Sequence, residues 1–177
     1  MRIAHVTATF PPYYAGTGNV CYHNARVLAA RGHEVHVYTA DWPGEPDDPP
    51  GVTVHRLKPA VRVGNAPVLS QLLRLGAFDL VHLHYPFIFG AELLTLGVLA
   101  RRTPLVLTYH NDLLAPGWRG RFFAAYERFP ARVVLQAARG VCAVTLDHAA
   151  ASPLLRHVTQ ARIMELPNGV DSGRFHP

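Results

Sequence analysis

The sequence predicts a doubly wound α/β fold with a mostly parallel sheet. Two observations carry this. Short β-branched, apolar runs recur at residues 2–7, 34–39, 52–57, 80–84, 105–109, 140–145 and 162–166, and helix-length segments separate them. Several runs are apolar nearly throughout, as suits strands buried on both faces of a parallel sheet. Alternating strand and helix of this kind implies right-handed crossovers.

The helical segments follow in order. From residue 19 to 31, Cys21, Ala25, Leu28 and Ala29 share one face at i, i+4, i+7 and i+8. Gly32 is placed to end that helix at C′. A shorter helix is expected over residues 70–75. Ala91, Leu94, Val98 and Leu99 repeat the periodic spacing, and Pro104 opens the next strand. Residues 118–136 read as helix interrupted near Pro130, because proline lacks a donor N–H and clashes with the preceding turn. Residues 147–158 read as helix disturbed by Pro153. Residues 41–51 and 59–67 are proline-rich and read as loops. There is no internal repeat. Residues 166–177 are turn-rich without an apolar period and read as a linker following a domain of residues 1–165.

The chain has 177 residues, 49% hydrophobic and 16% charged, which is a folded composition. That length suits one domain, which would bury roughly 70% of its unfolded surface. The first residues run straight into a strand pattern, with no signal-peptide profile, and the most apolar later stretch, residues 88–100, contains Glu92 and is too short to span a bilayer. Cys21 and Cys142 are far apart, as expected of buried, reduced thiols in a cytoplasmic protein. Seventeen basic residues oppose twelve acidic ones, for a net charge of +5, and sixteen of the seventeen are arginine. No nucleic-acid motif accompanies that charge, so phosphate-bearing ligands or an anionic surface are the expected partners.

Ligands of an open α/β sheet bind beyond the carboxyl ends of the strands. After the first strand, Thr9 to Asn19 contains Gly16, Thr17 and Gly18 and opens a helix. Such a loop can offer backbone N–H groups to phosphate, or can be a turn that needs positive φ. His84 ends the fourth run and His110 the fifth. Either can hydrogen-bond sugar hydroxyls or titrate near neutrality, while His82 shares a face with His84. His5 and His36 lie inside strands and read as satisfied core groups. There is no D-x-D, no H-E-x-x-H and no G-x-S-x-G, so neither a metal nor a serine nucleophile is expected. Residues 118–139 interleave Phe122, Phe123, Tyr126 and Phe129 with five arginines. The plainer reading packs these aromatics on the sheet; the alternative is an interfacial helix on anionic lipid.

Four segments together resemble the N-terminal domain of the GT-B glycosyltransferases of family 4. They are Phe10-Pro11-Pro12-Tyr13-Tyr14-Ala15-Gly16-Thr17-Gly18 with Arg31-Gly32-His33-Glu34-Val35-His36-Val37; Asp79-Leu80-Val81-His82-Leu83-His84; Thr108-Tyr109-His110-Asn111-Asp112; and Pro167-Asn168-Gly169-Val170-Asp171 with Phe175 and Pro177. The family usually has two adjacent glycines where this chain has Ala15-Gly16. The resemblance implies a Rossmann-like half of a retaining, metal-independent hexosyltransferase that needs no cofactor and uses a nucleoside-diphosphate sugar as substrate. It implies that Gly16, Thr17 and Gly18 lie near the donor diphosphate and that His110 lies at the reaction centre. Tyr13, Tyr14, Asn19, His84, Tyr85, Asn111 and Asp112 are expected to line the acceptor cleft. Asn168, Gly169 and Asp171 would belong to a linker toward a C-terminal donor-binding domain that these residues do not include, so the lone half is expected to be inactive. Three alternatives stay open: a partner-binding half of a split transferase, a sugar-nucleotide epimerase of the same architecture, and a dehydrogenase with Asp41 on the ribose.

Overall fold

The computed structural model describes residues 1–63 and 66–169. Seven strands form one sheet: β1 (Arg2–Val6), β2 (Glu34–Ala40), β3 (Val52–Leu57), β6 (Leu80–Tyr85), β7 (Leu105–Tyr109), β8 (Gly140–Ala143) and β9 (Ile163–Glu165). Their order is β3-β2-β1-β6-β7-β8-β9. Every neighbouring pair in that sheet is parallel. The chain winds outward from β1 to β3, returns to β6 beside β1, and winds outward again on the other side. The topological switch therefore lies between β1 and β6.

Helix α1 (Gly16–Ala30) packs Cys21 and Ala25 against Phe10, Val35 and Val37. It ends as its sequence demands. Gly32 takes φ +84°, its N–H donates to the Ala29 carbonyl, and the His33 N–H donates to that of Leu28. That pairing is the Schellman pattern, which satisfies carbonyls the helix end would otherwise orphan.

The second and larger core joins the sheet to α2 (Gly90–Arg101), α3 (Gly117–Arg128), α4 (Pro130–Ala137) and α5 (Leu146–Ala151). It contains Leu83, Tyr85, Leu105, Leu107, Tyr109, Leu94, Val98, Tyr126 and Leu135. A 3-10 turn at Ser70–Arg74 packs against α2. There Gly97 permits close contact, since a Cβ would stand 2.8 Å from the Leu73 carbonyl oxygen.

Pro130 splits the expected helix into α3 and α4 by occupying the start of the second, where its missing N–H is harmless. Pro153 likewise limits α5, which is followed by 3-10 turns at Leu155–His157 and Gln160–Arg162. Strand β8 stops at Ala143, short of the expected residue 145, because the Thr145 hydroxyl caps α5 by accepting from the His148 N–H.

Two expectations are corrected. The stretch 59–67 is not all loop. It holds β4 (Val61–Val63), paired antiparallel with β5 (Ala66–Val68). Val61 and Val63 are exposed, so no alternating pattern betrayed the ribbon, and its edge tolerates Pro67. The aromatics of α3 do not all pack inward either. Tyr126 is buried, but Trp118 and Phe122 are 76% and 42% exposed, as is Phe129 just beyond the helix, at 72%.

Candidate functional site

The site begins where β1 ends. Residues 7–15 are pinned from three sides. The Thr7 hydroxyl donates to the Thr9 carbonyl at 3.0 Å, and the Trp42 indole donates to the Ala8 carbonyl at 3.0 Å. Arg56 donates to the Pro11 carbonyl at 3.1 Å while pairing with Asp48. Tyr13 stacks on Trp42 with ring centroids 4.4 Å apart, and the Arg62 guanidinium covers the same indole at 4.3 Å. A rigid loop thus leads into α1.

The N-terminus of α1 has no side-chain cap and no acidic residue in its first turn. Its first N–H groups lack intrahelical acceptors, and the helix dipole favours negative charge there. The two glycines play different parts. Among the described residues, none comes within 4 Å of where a Gly16 Cβ would be, whereas a Cβ on Gly18 would stand 2.6 Å from the Thr9 carbonyl oxygen. Neither needs positive φ. Gly18 lets the loop lie against the helix, and Gly16 leaves the helix start uncovered.

Across the switch point, histidines from neighbouring strands meet. Parallel pairing sets His5 of β1 beside His82 of β6, and His84 beside Thr108 of β7. His110 follows β7, and its N–H donates to the Tyr85 carbonyl. The rings form a file. His5 Nδ1 lies 3.1 Å from His84 Nε2, and His84 Nδ1 lies 3.1 Å from His110 Nε2. His82 Nε2 bonds the Thr108 hydroxyl at 2.7 Å. His5 and His84 are fully buried, and His110 is half-buried at the outer end.

Burial sets the charge of the file. Desolvation holds His5 and His84 well below the usual histidine range, aided by neighbouring imidazoles. It pushes His110 down to about 4, and burial with the nearby His110 pushes His82 down to about 4. At neutral pH the rings are uncharged. His110 is therefore a hydrogen-bonding group rather than a general base matched to pH 7. One ring nitrogen from each of His5, His82 and His84 also lies within 4.8 Å of the other two, a set that could hold a metal ion.

Several expected acceptor-cleft residues fall elsewhere. Tyr85 is completely buried in the core and stacks on Tyr109, because strand alternation turns it to the face opposite His84. His84 is itself fully buried, so it can reach a ligand only through His110. Tyr14 leans away, its hydroxyl donating to Asp47 at 3.2 Å. Asp112 is a brace: its Oδ1 accepts from the Tyr109 and Ser152 hydroxyls, each at 2.7 Å, tying the end of β7 to the end of α5. Asn111 is exposed, its amide donating to the Asp112 carbonyl. Asn19 borders a groove of about 550 Å³ with His23, His82, Leu166, Asn168 and Gly169. Asp171 lies outside the described residues.

Sequence reasoning missed His5. Expected to be a satisfied core group, it instead anchors the file, and its Nε2 has no hydrogen-bond partner among the described residues. Only the adjacency of β1 and β6 could have revealed it. His36 is half-buried rather than core, bonded to His55 and Glu34 on the other wing of the sheet.

A Rossmann-like α/β unit with an open helix N-terminus and a polar file at its switch point is one half of a GT-B glycosyltransferase fold. Residues 14–174 match the model of Glycosyltransferase Family 4, and the chain belongs to that family. It is 27% identical over 183 residues to the GDP-mannose:cellobiosyl-diphosphopolyprenol alpha-mannosyltransferase of Komagataeibacter xylinus, covering 99% of this chain and 46% of that protein. Its fold is similar to HepE of Anabaena in complex with UDP and glucose, with TM-score 0.67, 15% identity, and 98% of this chain and 46% of that one covered. It is also similar to sucrose-phosphate synthase of Thermosynechococcus elongatus, with TM-score 0.68, 18% identity, and 99% and 50% covered. The chain thus spans about half the length of these relatives. Family membership does not favour the epimerase and dehydrogenase readings.

Proposed function

We propose that this chain is the acceptor-side half of a transferase that moves a hexose from a nucleoside-diphosphate sugar to an acceptor hydroxyl with retention of configuration. The observation that carries the reading is a pair of features flanking the switch point. On the β1 side, uncapped N–H groups of α1 at Gly16, Thr17 and Gly18 suit a diphosphate. Beyond β6, a neutral His110 at the end of β7 suits a sugar hydroxyl. In this reading the leaving diphosphate is stabilised by backbone N–H groups and arginines without a metal. Residues 166–177 lead to a second domain that binds the donor, and turnover requires both halves and a closed cleft.

The relative's name states a diphosphopolyprenol-linked acceptor and a GDP-mannose donor. That name, with the exposed Trp118, Phe122 and Phe129 among arginines, supports a lipid-linked acceptor and contact with an anionic membrane surface. No helix among the described residues is long and apolar enough to cross a membrane.

The test uses the full-length protein with GDP-mannose and UDP-glucose as donors and a diphosphopolyprenol-linked oligosaccharide as acceptor. Transfer is expected, with the donor anomer retained in the product. His110→Ala is expected to lower kcat by roughly 10²-fold, a typical loss for a positioned group at the reacting centre, while leaving the melting temperature nearly unchanged. Near-normal turnover in that variant removes His110 from the reaction centre.

A further inference from the structure

The file His5–His84–His110 can be protonated in two ways. A neutral imidazole carries one donor and one acceptor nitrogen, so both contacts can be hydrogen bonds only if every ring has the same polarity. In one arrangement each Nδ1 carries the proton: His5 donates to His84, and His84 donates to His110. In the other, each Nε2 carries it and the direction reverses. Both make two bonds, so only the ends distinguish them.

The outer end is half-exposed, and water or ligand satisfies either form there. The inner end decides. His5 is fully buried and its Nε2 meets no partner among the described residues. The reversed file would leave an N–H stranded at that nitrogen. The forward file leaves only a bare lone pair, and orphaned buried donors are the rarer case in folded proteins. The parallel register of β1, β6 and the end of β7 holds the three rings in this order. Desolvation keeps them uncharged, so a positive charge does not scramble the polarity.

We infer that His5 and His84 are positioning residues that hold His110 with its proton on Nδ1, so that His110 offers the bound ligand an N–H donor and not a lone pair. The ligand groups this selects are acceptor oxygens, such as a sugar hydroxyl or ring oxygen. The identity of that ligand rests on the proposed transferase reading; the tautomer does not.

A metal ion on His5, His82 and His84 would be a competing use of the same nitrogens. It would take a His84 nitrogen that the file already uses, Nε2 toward His5 or Nδ1 toward His110, so the two arrangements exclude each other.

The test is long-range ¹H–¹⁵N spectroscopy of the ¹⁵N-histidine chain at pH 7.5, which separates protonated from bare ring nitrogens. Protonated Nδ1 and bare Nε2 are expected on His5, His84 and His110, unchanged by an equivalent of ZnCl₂. A protonated Nε2 on His110, or stoichiometric zinc perturbing His5, His82 and His84 together, overturns the inference.

Variants of the full-length enzyme add a second readout. The side-chain amide of asparagine can replace the Nδ1–H of histidine. His84→Asn is therefore expected to keep kcat within about threefold, and His84→Ala to lower it about tenfold, the factor set by one ordinary hydrogen bond. Equal losses in two variants that both keep the fold overturn it. A correct tautomer without sugar transfer from any nucleoside-diphosphate donor would sink the transferase reading and leave the file intact.

Discussion

Gly16 and Gly18 belong to one glycine loop but stand in different surroundings. Read in the sequence, Gly16 and Gly18 are equivalent members of one loop. In the fold, Gly18 is pressed against the Thr9 carbonyl and Gly16 faces open space. A methyl group at position 18 would overlap backbone, which cannot rotate away as a side-chain tip can. Gly18→Ala is expected to destabilise the protein by about 1–3 kcal/mol, as overpacking does. Gly16→Ala, made at an ordinary helical φ with no neighbour to strike, should be neutral or slightly stabilising. Urea denaturation of both variants is the check, and equal stabilities would show that the Thr9 contact yields. The place of His110 directly after β7 was legible because it follows an apolar run. Tyr85 was misplaced because one residue's step along a strand reverses its face, and the sequence does not mark where β6 ceases to alternate.

Helix α3 is the element whose reading changed most. Its alternation of aromatic and basic residues fits either a core-facing or a surface-facing helix, and composition cannot choose. Packing chooses: Tyr126 fills the inner face, where its hydroxyl bonds Glu92. Trp118, Phe122 and Phe129 are left outside with Arg119, Arg121 and Arg128. Aromatic rings insert at a lipid interface, and each arginine near an anionic surface adds about 1 kcal/mol at moderate salt. Vesicles containing phosphatidylglycerol are therefore expected to sediment the protein at low salt and to release most of it at high salt. The double variant Trp118→Ala, Phe122→Ala should bind at least about tenfold more weakly without a change in fold by circular dichroism. Vesicle binding untouched by that substitution would move the contact to another face.

At the scale of the whole molecule, the buried histidines make stability depend on pH. In the unfolded chain a histidine titrates near 6.5; in the fold His82 and His110 titrate at about 4, and His5 and His84 lie well below the usual value. Between those limits the unfolded state holds more protons, so stability rises with pH. The contribution is fully present above about pH 6.5 and is lost as pH falls toward 4. His82 alone withdraws roughly 2 kcal/mol between pH 7.5 and pH 5. A drop in melting temperature on the order of 5 °C or more is expected over that interval. A flat profile there would mean that the imidazoles are hydrated in solution.

The alternation of apolar runs and helical periods determined the α/β class, most strand positions, the Gly32 stop and the break at Pro130. Each depends on neighbours in sequence, through backbone geometry or a local period. Tertiary structure alone decided that β1 and β6 are adjacent, and so that His5, His84 and His110 touch. Those contacts join residues 79 and 26 positions apart, a distance over which no local rule operates; the first exists only because the chain reverses its winding at the switch point, and the second because β6 and β7 pair in parallel.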